Sequence, residues 1–336
     1  MENLKAHETS LNQKVKRYRK RAKEIGSYLA KFPLDWGRFQ SEFNQEINGI
    51  FRDLMIFEKE HLERGEEEKV YKLKLLFLKH FRGEFARGDY IKWSLEKPLG
   101  YTGDYKIIDD IYRNHPTTTG FDRLYDNYFL MSPASVATRN RKEDFKKIIF
   151  EEVSKKNENS LVMNLASAPS RDLQEFFLEY DRKVTGVRFF CVENDPNAIE
   201  YSKKLLGDNQ RVDFLKENVV RIALRRDIRD LIKENFDIIF STGLFDYLNS
   251  RVATRLVSNL KKLLKPSGLM IISNYRDKYS NPSIHFMEWV GEWNLVYRTE
   301  EEFADIFLQS GFSKENLSFQ YEQQGIMQYC FARMPN

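Results

Sequence analysis

Small and polar side chains follow four apolar runs of the chain, at the points where strands are expected to end. In an open parallel sheet, ligands bind at the carboxyl ends of the strands, so these four segments are expected to line one cleft. They are residues 164–172, 192–195, 217–219 and 241–248. The sequence therefore predicts one ligand site that is built from loops lying far apart along the chain.

The first of these segments joins a strand to a helix through three small residues. Ala166, Ser167 and Ala168 let the backbone approach a ligand closely. The helix that begins near Arg171 points its amide groups toward the same place, which favours an anionic or polar ligand. An ordinary strand-to-helix turn has a similar composition, so this segment by itself leaves both interpretations open.

The second segment places an acid at the tip of the next strand. Glu193 and Asn194 end the apolar run 187–192, and a carboxylate there can accept hydrogen bonds from both ribose hydroxyls of a nucleoside cofactor. Asp195 can do the same, or it can cap the helix that begins at Pro196. Glu193 is our candidate for the ribose.

From residue 160 the chain alternates between strand and helix. Apolar runs such as FDIIF and LMIIS are typical of parallel strands covered on both faces. The last two strands lie close together in the sequence and are expected to form an antiparallel hairpin. The predicted strands are 161–165, 187–193, 212–215, 236–241, 269–274, 317–323 and 327–334. Helices are predicted from 171, from 196, near 228 and over 250–264.

The first 90 residues predict three amphipathic helices. Apolar side chains recur at helical spacing over 11–32, 39–57 and 70–81, and Pro33 is expected to end the first helix. A short helix is predicted around 107–112, and a longer one from Ser132-Pro133, where serine can cap and proline can open a helix. We predict an all-helical domain over 1–145 and a second domain over 146–336.

The βα alternation that ends in a hairpin resembles class I S-adenosylmethionine-dependent methyltransferases. The segment 164–172 resembles their first motif, although that motif usually has glycines at two of its positions. A more specific resemblance is carried by STGLFDYLNSRVATRL, GYTGDY, RNR and EWNLVYRTEEE, which are similar to bacterial methyltransferases that make 3-hydroxypalmitic acid methyl ester. The resemblance covers roughly residues 90–336. It implies an enzyme with a Rossmann-like α/β fold, a seven-stranded sheet and S-adenosylmethionine as cofactor, with S-adenosylhomocysteine as product.

The resemblance also implies a set of cofactor-binding residues. In the family, a polar residue after the third strand meets the adenine amino group and an apolar one packs on the ring, which places Asn218 and Val219 there. An arginine before the first strand, Arg139 or Arg141, is expected to pair with the cofactor carboxylate. The predicted cofactor-binding residues are Ala166, Ser167, Ala168, Arg171, Glu193, Asn194, Asn218, Val219, Ser241, Gly243, Tyr101 and Arg139.

The chemistry of the methyl acceptor decides which other residues matter. A carboxylate is already a nucleophile and needs only a cation to hold it, for which Arg276 or Arg298 is suited. A hydroxyl or amine needs a general base, and His285 or an acid could serve. His285 can equally be a packed residue at a helix start, and Trp289, Trp293 and Tyr297 can form a lid or a core. The candidate catalytic residues are Asp246, Tyr247, Arg276, His285 and Arg298.

The composition narrows the class of protein. The 336 residues carry 54 basic and 50 acidic side chains, a net charge of +4 that favours a small-molecule substrate over nucleic acid. The chain has no apolar run long enough to cross a membrane and no secretory signal. Its two cysteines form no disulfide framework, so we expect a cytoplasmic protein. The five histidines show no metal-ligand spacing, and no metal site is predicted.

Several alternatives stay open at this stage. The basic segment 14–23 is either a solvated helix face or a contact for phosphate or an anionic membrane. The leading function is O-methylation of a carboxylate such as that of a 3-hydroxy fatty acid, with the helical domain as a cap over the substrate. The alternatives are an RNA or protein methyltransferase, with the basic segments 14–23 and 221–229 binding an acidic partner, and a sensor that binds S-adenosylmethionine without turnover. The oligomeric state is open, and a homodimer through the N-terminal helices is one candidate.

Overall fold

The computed structural model describes residues 2–156, 159–184 and 186–336. Packing divides the chain into two compact units. The helical unit comprises Met1–Val136 with Asn281–Asn294, and the sheet unit comprises Ala137–Ser280 with Leu295–Asn336. Residues 137–145, which were predicted in the helical domain, thus pack with the sheet unit, and residues 281–294, which were predicted in the second domain, pack with the helical unit. The predicted domain limit at residue 145 stays a prediction.

The helical unit begins with three helices that each carry one stripe of apolar side chains, as the sequence predicts. Its helices are α1 (Glu2–Leu29), α2 (Gly37–Glu63), α3 (Glu67–His80), α4 (Arg82–Phe85), α5 (Asp89–Glu96), α6 (Tyr105–Arg113) and α7 (Gly120–Met131). The apolar stripe of α1 is buried from Leu11 to Leu29. Phe32 was expected on the same stripe, but the helix ends before it and its side chain is 52% exposed.

The segment 281–294 packs within the helical unit through aromatic side chains. It contains one turn of π-helix, Phe286–Val290, and the ring of Phe286 lies edge-on to Phe51 with the ring centroids 5.4 Å apart. The ring of Trp289 lies edge-on to Phe77 at 5.6 Å. The helical turn ends at Val290, so Trp289, Trp293 and Tyr297 do not share one helix face. The buried Trp289 and Trp293 belong to the core of this unit.

The sheet unit confirms the predicted fold class. Seven strands lie in the order β3-β2-β1-β4-β5-β7-β6, and β1 to β5 are parallel. The strands are β1 (Ser160–Leu165), β2 (Val187–Glu193), β3 (Val212–Lys216), β4 (Phe236–Ser241), β5 (Leu264–Tyr275), β6 (Leu317–Tyr321) and β7 (Met327–Arg333). The hairpin of β6 and β7 joins the sheet antiparallel to β5. The switch in strand order falls between β1 and β4, which places a ligand crevice at their carboxyl ends.

Helices cover the sheet where the apolar runs require it. They are α8 (Pro133–Ser154), α9 (Arg171–Tyr180), α10 (Pro196–Leu206), α11 (Val219–Leu224), α12 (Ser250–Lys261) and α13 (Glu300–Gln309). The helix predicted near Ile228 is only a three-residue 3-10 turn, and the helix of this stretch is α11. Within the described residues, no helix has the length and apolarity that a membrane crossing requires.

Candidate functional site

The loop after β1 explains why glycine is the usual residue in this position. Ala166 and Ser170 both adopt left-handed backbone angles, with φ of 51° and 60°. Such angles cost a residue with a Cβ atom about 1–2 kcal/mol, and glycine avoids that cost. Ala166 and Ala168 are half-buried and Ser167 is buried, so the loop is short, compact and free of bulky side chains. The predicted role of this loop in binding a cofactor stays a prediction.

Glu193 connects the tip of β2 to this loop. Its carboxylate accepts a hydrogen bond from the Ala168 amide at 3.4 Å, and others from the amides of Asn194 and Asp195 at 2.7 and 3.1 Å. Burial raises the pKa of Glu193, while these amides lower it. The side chain is only partly buried, so both oxygens keep capacity to accept from hydroxyl groups.

Asp195 and Asn218 both act as helix caps. The Asp195 carboxylate accepts from the Asn197 amide at 2.8 Å and starts α10, so capping is the role that the structure gives this acid. The Asn218 oxygen accepts from the Val220 amide at 2.8 Å and starts α11. Binding of an adenine amino group by Asn218, as predicted, would share an oxygen that is already in use.

Three further predicted cofactor residues surround these loops. Val219 is half-buried and packs against the core of the sheet unit. Asn194 is exposed beside Glu193, and Arg171 opens α9, where its Nη1 lies 3.4 Å from the Gln174 oxygen. Their contacts with a cofactor stay predictions.

The carboxyl end of β4 is tied directly to the end of β1. The Ser241 hydroxyl donates to the Leu165 carbonyl at 3.0 Å, so this serine holds the two strand ends together. Gly243 follows, and a Cβ atom at this position would lie 3.5 Å from Nη2 of Arg141. Arg141 comes from α8 and is 4% exposed, so a buried cation lies against the segment that follows β4.

Asp246 is the acid that faces this cation. Its Oδ1 atom accepts from Nδ2 of Asn274 at 2.7 Å and from the Tyr275 amide at 2.8 Å. Its Oδ2 atom lies 3.7 Å from Nη1 of Arg141, and both side chains are buried. Burial raises the pKa of Asp246 to about 6, against the opposing effect of Arg141.

Arg298 is held inside the sheet unit by acceptors of the chain itself. Its Nη1 donates to the Phe245 carbonyl at 2.9 Å and to Oδ1 of Asn274 at 2.6 Å, and its Nη2 donates to the Leu248 carbonyl. The guanidinium is 2% exposed. This geometry fixes the turn 245–248 that carries Asp246 and Tyr247, and it favours a positioning role over the predicted contact with substrate.

Tyr275 completes the buried group of polar side chains. Its phenol is hydrogen-bonded to Thr138 of α8, and burial raises its pKa. Asn274 and Thr138 were not singled out from the sequence. The polar ending of the run LMIISNY was a signal for Asn274, because polar residues at a strand's carboxyl end lie near the ligand crevice. Thr138 had no such signal.

The remaining predicted residues lie in different surroundings. Arg276 is half-buried, donates to the Gly325 carbonyl at 2.9 Å and lies 4.5 Å from the ring centre of Tyr321. Tyr247 is 47% exposed, and Arg139 is half-buried on α8. Tyr101 and His285 belong to the helical unit.

His285 makes a buried pair inside that unit. Its Nε2 atom is paired with the carboxylate of Glu58, which lies on α2, and its ring lies 5.2 Å from that of Trp289. The structure thus gives His285 a packed environment, as one of the two interpretations expected.

Among the described residues, one group of three carboxylates has the spacing of metal ligands. Oxygens of Glu143, Glu175 and Glu179 lie within 4.8 Å of one another. The ammonium of Lys146 pairs with all three, at 2.8, 2.9 and 2.6 Å, and Lys142 pairs with two of them. These two buried lysines pair with the acids and hold α8 against α9.

Comparison with known proteins shows which class of domain this chain contains. Residues 174–272 match the family model described as a methyltransferase domain. A phosphoethanolamine N-methyltransferase of Plasmodium falciparum (isolate 3D7) is 23% identical over 157 residues, which are 46% of this chain and 54% of that protein. The chain therefore spans about half the length of this curated relative.

Two solved structures share the fold. A candidate exported protein from Bordetella parapertussis aligns with a TM-score of 0.57 at 18% identity, over 69% of this chain and 80% of that one. An inferred methyltransferase from Thermobifida fusca aligns with a TM-score of 0.51 at 14% identity, over 68% of this chain and 94% of that one. The matched residues show a methyltransferase domain in this chain, a class of domain whose cofactor is S-adenosylmethionine, and the two solved structures show its fold.

The residues at the strand ends fit this cofactor. Glu193 offers acceptors suited to two ribose hydroxyls, and the loop with Ala166 carries only small side chains beside it. Arg141 is a buried cation next to Gly243 and suits the only anionic group of the cofactor, the carboxylate of its amino-acid part.

Proposed function

We propose that this chain methylates the carboxylate of a small molecule, and that the acceptor is similar to a 3-hydroxy fatty acid. The observation that carries the proposal is the distribution of bases. All five histidines lie in Met1–Val136 and Asn281–Asn294, so the unit that carries the methyltransferase sheet contains none. A carboxylate acceptor needs no general base, whereas a hydroxyl or a protonated amine does.

The ionisable groups near the end of β4 point the same way. Asp246 has both oxygens directed at protein donors, and the pKa of the Tyr275 phenol is raised, so neither is arranged as a free base at neutral pH. Bound S-adenosylmethionine supplies an electrophilic methyl group on a sulfonium. What the chain adds is position, because holding two reactants in line provides most of the rate for such a displacement.

The cofactor would be held by residues from the loops after β1, β2 and β3 and from α8. Glu193 accepts from the ribose, the loop 166–168 lets the backbone approach, and Val219 packs on the base. Arg141, with Arg139 as the alternative on the same helix, pairs with the amino-acid carboxylate. Ser241 acts indirectly, because its hydroxyl is bound to Leu165 and keeps the ends of β1 and β4 together.

Arg276 is the stronger of the two cations proposed for the acceptor. It lies directly after β5, is half-buried, and one of its nitrogens donates to the Gly325 carbonyl. Arg298 has three acceptors within the chain, so binding a substrate carboxylate would require it to give up buried hydrogen bonds. We therefore assign acceptor binding to Arg276 and positioning of the turn 245–248 to Arg298.

The alternative of an RNA or protein substrate is weakened because basic residues of both candidate segments already have partners within the chain. Arg229 donates to the carbonyls of Lys233, Glu234 and Lys262, and Arg225 pairs with Glu217 at 3.1 Å. In the basic segment of α1, the arginines at 17, 19 and 21 pair with acids of other helices. Cations that are already paired contribute little to the release of counter-ions that drives nucleic-acid binding.

A cytoplasmic location and a homodimer through the N-terminal helices belong to the same proposal. Exposed apolar side chains on α3, Tyr71 at 62% and Leu75 at 47%, support the dimer. Sedimentation of the purified chain tests it, and a monomer at all concentrations would remove it.

The function is tested with an acceptor screen using methyl-labelled S-adenosylmethionine. The acceptors are 3-hydroxy fatty acids of several lengths, their methyl esters, the matching alcohols, phosphoethanolamine and transfer RNA. We expect label in the fatty-acid arm only, and we expect mild alkali to release it as methanol, because an ester is cleaved and an ether or methylamine is not. Label that survives alkali, or label in the methyl-ester arm, would contradict carboxylate methylation.

A matched pair of variants separates acceptor binding from folding. Arg276→Gln should raise the KM for the acceptor while S-adenosylhomocysteine still binds, because the residue lies outside the proposed cofactor site. Tyr321→Phe, at the ring beside it, is the control and should leave the KM near that of the parent chain. Binding of S-adenosylhomocysteine with no label in any arm would instead support the sensor without turnover.

A further inference from the structure

We propose that Asp246 is the resting counter-ion of Arg141, and that Asp246 takes up a proton from solvent when the carboxylate of the cofactor pairs with Arg141. Binding of S-adenosylmethionine or S-adenosylhomocysteine is then coupled to protonation of one buried acid. The inference rests on S-adenosylmethionine as the cofactor and not on the identity of the acceptor.

The geometry of the pair is the first argument. Oδ2 of Asp246 and Nη1 of Arg141 are 3.7 Å apart, which is close enough for strong attraction and longer than a hydrogen bond. Both side chains are almost completely buried, at 3% and 4% exposure. The pair is therefore a charge contact that another anion can replace without first breaking a short hydrogen bond.

Asp246 itself cannot leave when a second anion arrives. Its other oxygen is held by Nδ2 of Asn274 and by the Tyr275 amide, and its backbone carbonyl accepts from the Val296 amide at 2.8 Å. The carboxyl group therefore stays within a few ångströms of any ligand that pairs with Arg141. Two carboxylates that share a site repel each other, and the usual outcome is that one of them binds a proton.

The neighbouring charges make Asp246 the acid that does so. Arg141 of α8 and Arg298 are the cations that lower its pKa, while Tyr275 of β5 contributes a neutral phenol. Arg298 donates to Phe245, Leu248 and Asn274. Arg141 faces Asp246 and lies beside Gly243, in the segment after β4 that belongs to the proposed cofactor site. Burial already raises the pKa of Asp246 to about 6, close to the range where a further rise produces uptake at neutral pH.

The sign of the pH dependence follows from this coupling. Below pH 6 the acid is already protonated before binding, so little proton is taken up. Between pH 6 and the higher pKa of the complex, each ligand brings close to one proton with it. Affinity should then fall as the pH rises through this window, by up to about tenfold per pH unit where the coupling is complete.

The test is calorimetric titration with S-adenosylhomocysteine, which needs no turnover. At each of several pH values from 5.5 to 8.5, the binding heat is measured in buffers of different ionisation enthalpy, and its slope gives the number of protons taken up. We expect an uptake that peaks above pH 6 and approaches one proton for the parent chain. For Asp246→Asn, which keeps an acceptor for Asn274 and Tyr275, we expect the peak to vanish and the affinity to become nearly independent of pH.

Two controls keep the outcome decisive. Asp126 is a buried acid of the helical unit whose pKa burial raises, and Asp126→Asn should leave the uptake in place. If Asp246→Asn does not fold, infrared difference spectra of the parent chain, taken with and without S-adenosylhomocysteine, should show a new protonated carboxyl band at pH 7. No uptake by the parent chain, or the same uptake in Asp246→Asn, overturns the inference, while binding of S-adenosylhomocysteine leaves the proposed function intact.

Discussion

Replacement of Arg298 separates a positioning residue from a residue that binds the acceptor. The side chain donates to two backbone carbonyls, Phe245 and Leu248, and to the Asn274 oxygen, all within the sheet unit. Arg298→Met keeps much of the length and apolar bulk but removes every donor. The Leu248 carbonyl and the Asn274 oxygen would then lose this buried donor, and the Phe245 carbonyl would keep only the Leu248 amide, at 3.4 Å.

The expected loss of stability follows from these contacts. A hydrogen bond to a charged group contributes about 1.5–3 kcal/mol, and each acceptor left unsatisfied in the interior costs about 1–3 kcal/mol. Relaxation of the turn 245–248 recovers part of this, so we expect a loss of about 3–5 kcal/mol in the free energy of unfolding, as for other broken buried charge contacts. That is a large share of the free energy of unfolding of a typical protein, which is about 5–15 kcal/mol.

The assay is denaturant unfolding followed together with affinity for S-adenosylhomocysteine. Arg298→Lys should recover part of the stability, because an ammonium can still donate to carbonyls. Arg276→Gln is the half-buried control, and it should cost only about 1 kcal/mol because it removes a single hydrogen bond, to the Gly325 carbonyl. A fully stable Arg298→Met chain that binds S-adenosylhomocysteine normally but loses affinity for the acceptor would refute this reasoning. Arg298 would then be the substrate cation that the sequence suggests.

Three further substitutions test other parts of the structure. Ala166→Gly should raise the free energy of unfolding by up to about 1 kcal/mol, since relief of a left-handed alanine exceeds the added chain entropy; a lower melting temperature would contradict this. Burial raises the pKa of Asp172 from its ordinary value of 3.8 to about 6. The protonated acid therefore stabilises the fold fully below pH 4, and this contribution is lost as the pH rises through 6. Asp172→Asn should therefore gain stability relative to the parent chain as the pH rises from 4 to about 6, measured by denaturant midpoints, and a difference that is constant over this range would argue against a buried, titrating acid. His285→Gln should lower the melting temperature by disrupting the pair with Glu58 while leaving binding of S-adenosylhomocysteine unchanged, and a loss of that binding in a folded variant would contradict a purely structural role.

The sheet was predictable because its signals are local. Strands β2 and β4 begin and end where the apolar runs do, at Val187–Glu193 and Phe236–Ser241. Parallel strands covered on both faces are nearly continuous apolar runs, and polar residues mark where they end. Helix α11 escaped prediction for the opposite reason, since its six residues are too few to show a helical period.

The partners of buried polar side chains were not predictable, because they come from distant parts of the chain. Glu58 and His285 are separated by 227 residues, and nothing in either neighbourhood marks the other as a partner. The same holds for Arg298, whose two backbone acceptors have no side-chain signal at all. A sequence pattern can show that an arginine lies near the predicted site, but it cannot show whether backbone carbonyls accept its hydrogen bonds.

Helix caps and ligand-binding residues are difficult to separate by sequence, and the strand ends of this chain show why. A polar side chain after a parallel strand can accept from the first amides of the next helix or from a ligand, and both tasks call for the same oxygen atoms. Asp195 and Asn218 are caps in the structure, with their oxygens bound to amides of α10 and α11. Glu193 differs, because its carboxylate also bridges from β2 to the Ala168 amide in the loop after β1. Glu193→Gln keeps the shape and removes the charge, so it should weaken binding of S-adenosylhomocysteine about 10- to 100-fold if the ribose hydroxyls donate to a carboxylate. Asp195→Asn, which still caps α10, is the matched control, and equal affinities for the two variants would show that the acid at the tip of β2 serves the loop and not the cofactor.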